Sequence, residues 1–521
     1  MSETAAQGVS PVLLRLAGIT KRFGGLLANA AIDLDLRAGE ILALLGENGA
    51  GKTTLTNILF GHYTADAGEV SVADAGGRLV PLPPGSPRAA LAAGVGMVHQ
   101  HFALADNLTA LDNVVLGTEP LWGWRQRRRA ARERLDALCR DSGLAVSLDA
   151  PVLALSVGER QRLEILKARY RDVRVLVLDE PTAVLTPQDA EQLFATLRRL
   201  AARGMGVVFI SHKLGEIMAL CDRVAVLRGG RKVLEVPVDD TSRAELAEAM
   251  VGRAVAFRRR EELAPGAPVL ELDRVTVAPG GAHGRTGLVD AELKVRAYEI
   301  VGIAGVSGNG QQALSALLSG MAAPAAGSVR LEGRPWPGAR PRAVVAAGVG
   351  RVPEDRHAHG VVGDLTIAEN LALETYREPG LQRLGVARRA ALRAHALRLI
   401  GAYDVRCEGP GQPARLLSGG NIQKLVLARV LERDPAFILA DQPTRGLDVG
   451  AVAYVHGRLL DARRRGAAIL LISEDLDELL ALADRIAVIH RGRLTEPLPT
   501  RALTVRELGL MMAGQGRHAA A

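Results

Sequence analysis

Gly46-Glu47-Asn48-Gly49-Ala50-Gly51-Lys52-Thr53 follows the apolar run Ile41–Leu45 and opens the helical pattern Thr53–Leu59. Strand, glycine-rich loop and helix in that order form the setting of a phosphate-binding loop. The glycines let backbone N–H groups converge on phosphate oxygens, and the helix N-terminus behind the loop adds a favourable dipole. Lys52 supplies a point charge to β- and γ-phosphates, and the Thr53 hydroxyl can ligate Mg2+.

The loop recurs in blunted form. Gly305-Val306-Ser307-Gly308-Asn309-Gly310-Gln311-Gln312 keeps the glycines and replaces the lysine and the hydroxyl. Other segments pair at nearly the same distance. Leu14–Thr20 answers to Leu270–Thr276, Glu40–Gly46 to Glu299–Gly305, and Val95–Val98 to Val349–Val352. Leu155–Gly158 answers to Leu417–Gly420, Asp179–Thr182 to Asp441–Thr444, and Ile210–His212 to Ile472–Glu474, all at offsets of 254 to 262 residues. Matches that keep order and spacing over half a chain mark a duplication. At 521 residues, each half of about 250 is large enough to bury its own core.

Composition narrows the class. Cys139, Cys221 and Cys407 form no CxxC pair, so neither a disulfide framework nor a zinc site is indicated, and a reducing cytosol is expected. The N-terminus lacks the pattern of a signal peptide, and no run of 18 apolar residues is free of charge, so the chain is not expected to span a membrane. Net charge is +8. The arginine runs Arg125, Arg127–Arg129 and Arg258–Arg260 read as solvated faces or linker, with anionic lipid headgroups as the alternative. Aromatic residues are too scarce to interleave with them as stacking platforms, so no nucleic-acid partner is expected.

Val173–Leu178 and Ala436–Ala440 are nearly continuous apolar runs, and Gly206–Ile210 shows no alternation either. All three suit strands buried on both faces of a parallel sheet. Helix-rich stretches span about 105–165 and 365–430, and a linker is expected near 254–268, where charged residues lead into Ala264-Pro265-Gly266-Ala267-Pro268. Asp179 closes a buried strand and can hold Mg2+, while Glu180 can accept a proton from an attacking water. Gln100 has the reach of a Mg2+ and water contact, His212 could hydrogen-bond a γ-phosphate, and Phe23 could stack on adenine or pack in the core.

Leu417-Ser418-Gly419-Gly420-Asn421-Ile422-Gln423 resembles the signature motif of ATP-binding cassette (ABC) ATPases, and Leu155–Gln161 is a weaker version. With the phosphate loop, Gln100, Asp179-Glu180 and His212, the resemblance covers nearly the whole chain. It implies an α/β fold of two tandem P-loop NTPase cassettes, residues 11–253 and 269–514. Each would have a RecA-like parallel-sheet core, an antiparallel β subdomain and a helical subdomain. It implies ATP and Mg2+ as ligands, and a head-to-tail arrangement that sandwiches ATP between one cassette's loop and the other's signature. The first site would then combine Phe23, Gly46, Glu47, Asn48, Gly49, Ala50, Gly51, Lys52, Thr53 and Thr54 with Ser418, Gly419 and Gly420. Thr53, Gln100 and Asp179 would hold the metal, and Glu180, His212 and Gln100 would serve catalysis. Asp448 would serve the interface loop, whereas Ala183–Thr186 in the first half lacks that aspartate.

The second site departs from the pattern. Gln311 carries no charge; losing a charge-assisted hydrogen bond costs roughly 1.5–3 kcal/mol. Gln442 cannot take a proton, Glu474 brings a negative charge where histidine is expected, and Pro279 stands in place of Phe23. Two fused cassettes with a blunted second copy resemble the ATPase subunit of importers for simple sugars and nucleosides. Val98–Phe102, Pro353–Arg356 and Asp441–Asp448 lean toward the nucleoside branch. The resemblance implies two integral membrane permease subunits and an external solute-binding protein as partners. The chain would lie at the cytoplasmic face of the membrane, touching it through those partners. The competing class is a soluble duplicated-cassette factor acting on ribosomes, which usually keeps both sites intact and joins them by a long charged helical linker.

Overall fold

Ile41–Gly46 is buried along its whole length and lies third in a six-stranded sheet. In the computed structural model that sheet runs Arg231–Pro237, Arg223–Arg228, Ile41–Gly46, Gly206–Ile210, Val175–Asp179, Val95–Val98. All neighbouring pairs are parallel except the first, which is antiparallel. Residues 10–99, 102–118, 128–182, 185, 187–252, 258–280 and 286–515 are described by the structure. They belong to two units, Met1–Val255 and Ala256–Ala521.

The second unit repeats the plan. Its main sheet runs Val349–Val352, Phe437–Asp441, Ala468–Ile472, Ile300–Ala304, Arg485–His490, Arg493–Leu494. Each unit also carries a four-stranded antiparallel sheet. These are Leu26–Arg37, Val12–Phe23, Ala67–Ala73, Leu79–Pro81 in the first and Leu288–Arg296, Pro268–Val277, Ala326–Leu331, Arg334–Pro335 in the second. Helices Ala110–Val115, Arg128–Ser142 and Val157–Tyr170 fill the expected helical stretch of the first half. Ile367–Ala372, Arg389–Ala402 and Gly419–Leu431 do so in the second.

The main strands do not alternate because both faces are covered. One face of the first sheet (Leu42, Leu44, Val175, Val208) packs with the helix after the loop (Leu55, Leu59) and with Leu14, Leu16 and Ile32 of the antiparallel sheet. The second unit repeats this with Val301, Leu470, Leu314, Leu317 and Leu270. On its other face, Ile300, Ile469 and Leu471 meet Ile422 and Leu425 of the signature helix and Leu399 beyond. Paired ion contacts also recur. Glu40 accepts from Arg223 at 2.7 Å, and Glu299 from Arg485 at 2.7 Å.

The stretch between the halves differs from a plain linker. Residues 253–257 lie outside the described residues, but 258–266 are fastened to the second unit. Arg258 pairs with Asp461 at 2.6 Å. The Glu261 carbonyl accepts from Arg463, and its carboxylate pairs with Arg464. The run Arg258–Arg260 is therefore partly engaged by acidic partners rather than wholly solvated. Arg128 and Arg129 do lie on the surface, paired with Asp112 and Glu133; Arg125 and Arg127 lie outside the described residues. Among the described residues no helix is long and apolar enough to cross a membrane.

Candidate nucleotide site

Gly46, Asp179 and Ile210 end three parallel strands at the same edge of the first sheet, since Asp179 lies opposite Ile210 and Leu44 opposite Ile210. The carboxyl edge of such a sheet is where ligands bind in α/β folds. The phosphate loop, Asp179-Glu180 and Ser211-His212 all leave the sheet there. Tight packing holds the loop in shape. Gly51 has φ +102°, and a Cβ there would lie 2.2 Å from the Ala28 carbonyl oxygen and 2.7 Å from Asn29 Nδ2. Only glycine fits, and buried Asn29 donates to the Gly51 carbonyl at 3.1 Å. The helix Lys52–Phe60 then begins, with Thr53 exposed at its first turn and Thr54 half-buried.

Lys52 is buried and folds back over the loop, its Nζ donating to the Gly46 carbonyl at 2.6 Å and the Glu47 carbonyl at 3.1 Å. Burial lowers its pKa, opposed by Glu180 and Asp179. Burial and the neighbouring Glu180 raise that of Asp179, with Lys52 acting against them. Glu180 takes φ +47°, a region non-glycine residues seldom adopt. Its Oε1 lies 2.9 Å from His212 Nδ1, and this hydrogen bond holds its carboxyl below the usual range. A carboxylate at that distance only accepts, so Nδ1 carries a proton. Phe23 is exposed, which excludes the core-packing alternative, and makes an edge contact with Tyr63. Gln100 lies outside the described residues.

The sequence did not single out Glu216. It accepts from Thr182 Oγ1 at 2.7 Å and Ser211 Oγ at 2.8 Å, joining the loops that carry Glu180 and His212. Glu478 does the same for Thr444 at 2.8 Å and Ser473 at 2.6 Å. The signal was present: both glutamates keep the 262-residue offset.

The second copy keeps the geometry and loses the reactive groups. Gly310 has φ +115°, and Gln311 closes back as Lys52 does. Its Nε2 donates to the Val306 carbonyl at 2.9 Å, and its Oε1 accepts from Asn309 N at 3.0 Å. Gln442 takes φ +47° and accepts from Glu474 N at 3.3 Å. Asp441 is pushed up to about 6, chiefly by burial, with Glu354 and Glu474 adding to it. Arg351 opposes that rise; it pairs in register with Leu439, two residues before Asp441.

The two signature serines also differ. Ser156 is locked in a capping box, its hydroxyl and backbone N–H both donating to Glu159 at 2.8 Å. Ser418 begins the helix Gly419–Leu431 without a side-chain cap bond and accepts from Asn421 at 2.9 Å. The complete signature thus leaves its helix N-terminus uncapped by its serine.

The family described as ABC transporter matches residues 30–183 and 288–445. A protein named nucleoside import ATP-binding protein NupA, from Lactococcus lactis, is 42% identical over 96% of this chain and 98% of its own length. One named glucose import ATP-binding protein TsgD13, from Haloferax volcanii, is 43% identical over 96% of each. A solved complex of archaeal ribosomal stalk protein aP1 with ribosome recycling factor aABCE1 shares the fold, at TM-score 0.61 and 18% identity, over 93% of this chain and 90% of that one. With a complete phosphate loop in one copy and a blunted one in the other, the chain belongs to the ABC transporter family, as an ATPase of two cassettes.

Proposed function

We propose that this chain powers uptake of a nucleoside or simple sugar through partner membrane permeases, and that it hydrolyses ATP at the first cassette's loop. The contact of Glu180 with His212, beside Lys52 and Asp179, carries the reading. Ionised Glu180 accepts a proton from the attacking water. His212 already gives its Nδ1 proton to Glu180, so a ring that also donates to a γ-phosphate carries both protons. Lys52 turns from the loop carbonyls to the β- and γ-phosphates. Thr53, Gln100 and Asp179 would hold Mg2+, which would supply neutralising charge at the phosphate oxygens.

Ser418, Gly419 and Gly420 of the second cassette take part in ATP binding. The open helix N-terminus behind Ser418 supports this, since such a terminus favours phosphate. The second loop does not turn ATP over, because Gln442 accepts no proton and Glu474 repels a γ-phosphate. The relatives are named for nucleoside import and for glucose import, which supports either cargo here. Two permease subunits and an external solute-binding protein complete the assembly, with this chain at the cytoplasmic face of the membrane. The likeness to the recycling factor is one of fold alone.

Glu180→Gln is expected to cut ATP turnover by about 10²- to 10⁴-fold while ATP binding persists; wild-type turnover in this variant would sink the assignment. Affinity purification after mild detergent extraction is expected to recover multi-span membrane proteins. Ribosomal proteins with no membrane partner would overturn the importer reading.

A further inference from the structure

The segment Pro353–Arg356 stands where the first cassette has His99–Phe102, and its arginine has no part in the site described above. Asp355 accepts from the backbone N–H groups of His357 and Ala358, each at 2.9 Å, which turns the chain and aims Arg356 inward. Arg356 Nη1 donates to the Arg445 carbonyl at 2.6 Å, and Nη2 to the Gly446 carbonyl at 3.4 Å. Both carbonyls belong to the loop between Gln442 and Asp448. The same guanidinium lies on the signature: a Cβ on Gly419 would sit 2.9 Å from Nη2 and 3.3 Å from Nε. The Nε atom is buried there without a hydrogen-bond partner.

Further bonds fasten the elements around it. Glu354 pairs with Arg445, and buried Arg429 of the signature helix donates to the Gly360 carbonyl at 2.7 Å. Gln423, also buried in that helix, donates to the Pro443 carbonyl at 2.8 Å. The signature helix and the 442–448 loop are therefore held at several points by one segment, with Arg356 at the end that faces Ser418.

We propose that Arg356 is a positioning residue for the second cassette's signature, fixing Ser418–Gly420 relative to the Arg445–Asp448 loop so that the signature can engage ATP. This rests on the reading that the signature takes part in ATP binding.

The test uses the full chain with its membrane partners. Arg356→Ala is expected to lower kcat about tenfold or more, as loss of charge-assisted hydrogen bonds does. The Kd for a fluorescent ATP analogue should stay within about twofold, because Lys52 and its loop are untouched. Arg356→Lys, which keeps one donor for the Arg445 carbonyl, should fall between. Unchanged kcat in Arg356→Ala overturns the proposal. So does a joint loss of kcat, analogue binding and thermal stability that lysine does not relieve. Gly420→Asp separates the two readings. If it abolishes turnover while Arg356→Ala is silent, only the Arg356 proposal fails; if Gly420→Asp is itself silent, both fall.

Discussion

Glu180 and Gln442 hold the same backbone conformation and differ in what their side chains can do. A non-glycine residue at φ +47° stores strain that the surroundings must impose. Both copies impose it through the same bond, from the backbone N–H of residue 180 or 442 to the carbonyl of Ile210 or Ile472. The second copy therefore has the frame of the proposed catalytic position without the carboxylate. Asp441 carries a related cost. Its carboxyl is raised to about 6 by burial and by Glu354 and Glu474, against about 3.9 when unfolded. A carboxylate raised in the folded state destabilises the protein above that value and has no effect below the unfolded one. Asp441→Asn is thus expected to stabilise the nucleotide-free protein at pH 7.5, by on the order of 2–3 kcal/mol. The difference should shrink as pH falls from about 6 to about 4. Thermal melts across that range check this, and a gap that persists at pH 4 contradicts it.

At the scale of elements, the site depends on where strands end. The strands Val175–Asp179 and Gly206–Ile210 stop together, and Glu216 ties the loops beyond them through Thr182 and Ser211. Both hydroxyl residues are buried, so removing their acceptor leaves each unsatisfied, at a cost of about 1–3 kcal/mol each. Glu216→Ala is expected to loosen the Glu180–His212 contact, lowering kcat roughly tenfold with ATP affinity within about twofold. Glu216→Gln keeps one acceptor oxygen and should lie between. Steady-state kinetics beside nucleotide titration decides it. The signature helices show the converse. The Ser156 box satisfies its own helix terminus, whereas Ser418 leaves that terminus to be satisfied from elsewhere.

At the scale of the molecule, each unit has its own core, and the stretch entering the second unit is built into it. Arg463 is almost wholly buried, forks onto Asp484 at 3.0 and 2.8 Å, and donates to the Glu261 carbonyl at 2.9 Å. Asp484 in turn accepts from Ile300 N at 2.8 Å, at the start of the strand leading to the second loop. Removing the cation leaves a partly buried carboxylate without its main partner, so Arg463→Met is expected to destabilise the second unit by about 3–5 kcal/mol. Peptide-resolved hydrogen exchange should show lost protection across 258–515 and little change across 10–252. Equal loss in both would mean that the units do not have separate stabilities.

The sequence alone determined the duplication, the tandem cassettes, the buried parallel strands and the chemical inequality of the two loops. These are properties of residue type, order and spacing, and hydrophobic runs leave few alternatives to a sheet covered on both faces. It offered Lys52, Asp179, Glu180, His212 and Ser418 as candidates because each sits in a motif defined by neighbours along the chain. Glu216, Arg356 and the docked segment 258–266 needed the tertiary structure. Their roles come from contacts with residues that are distant in sequence or outside any motif: Thr182 with Glu216, Arg445 with Arg356, Arg463 with Glu261. No local pattern encodes a hydrogen bond whose partner is brought in by the fold.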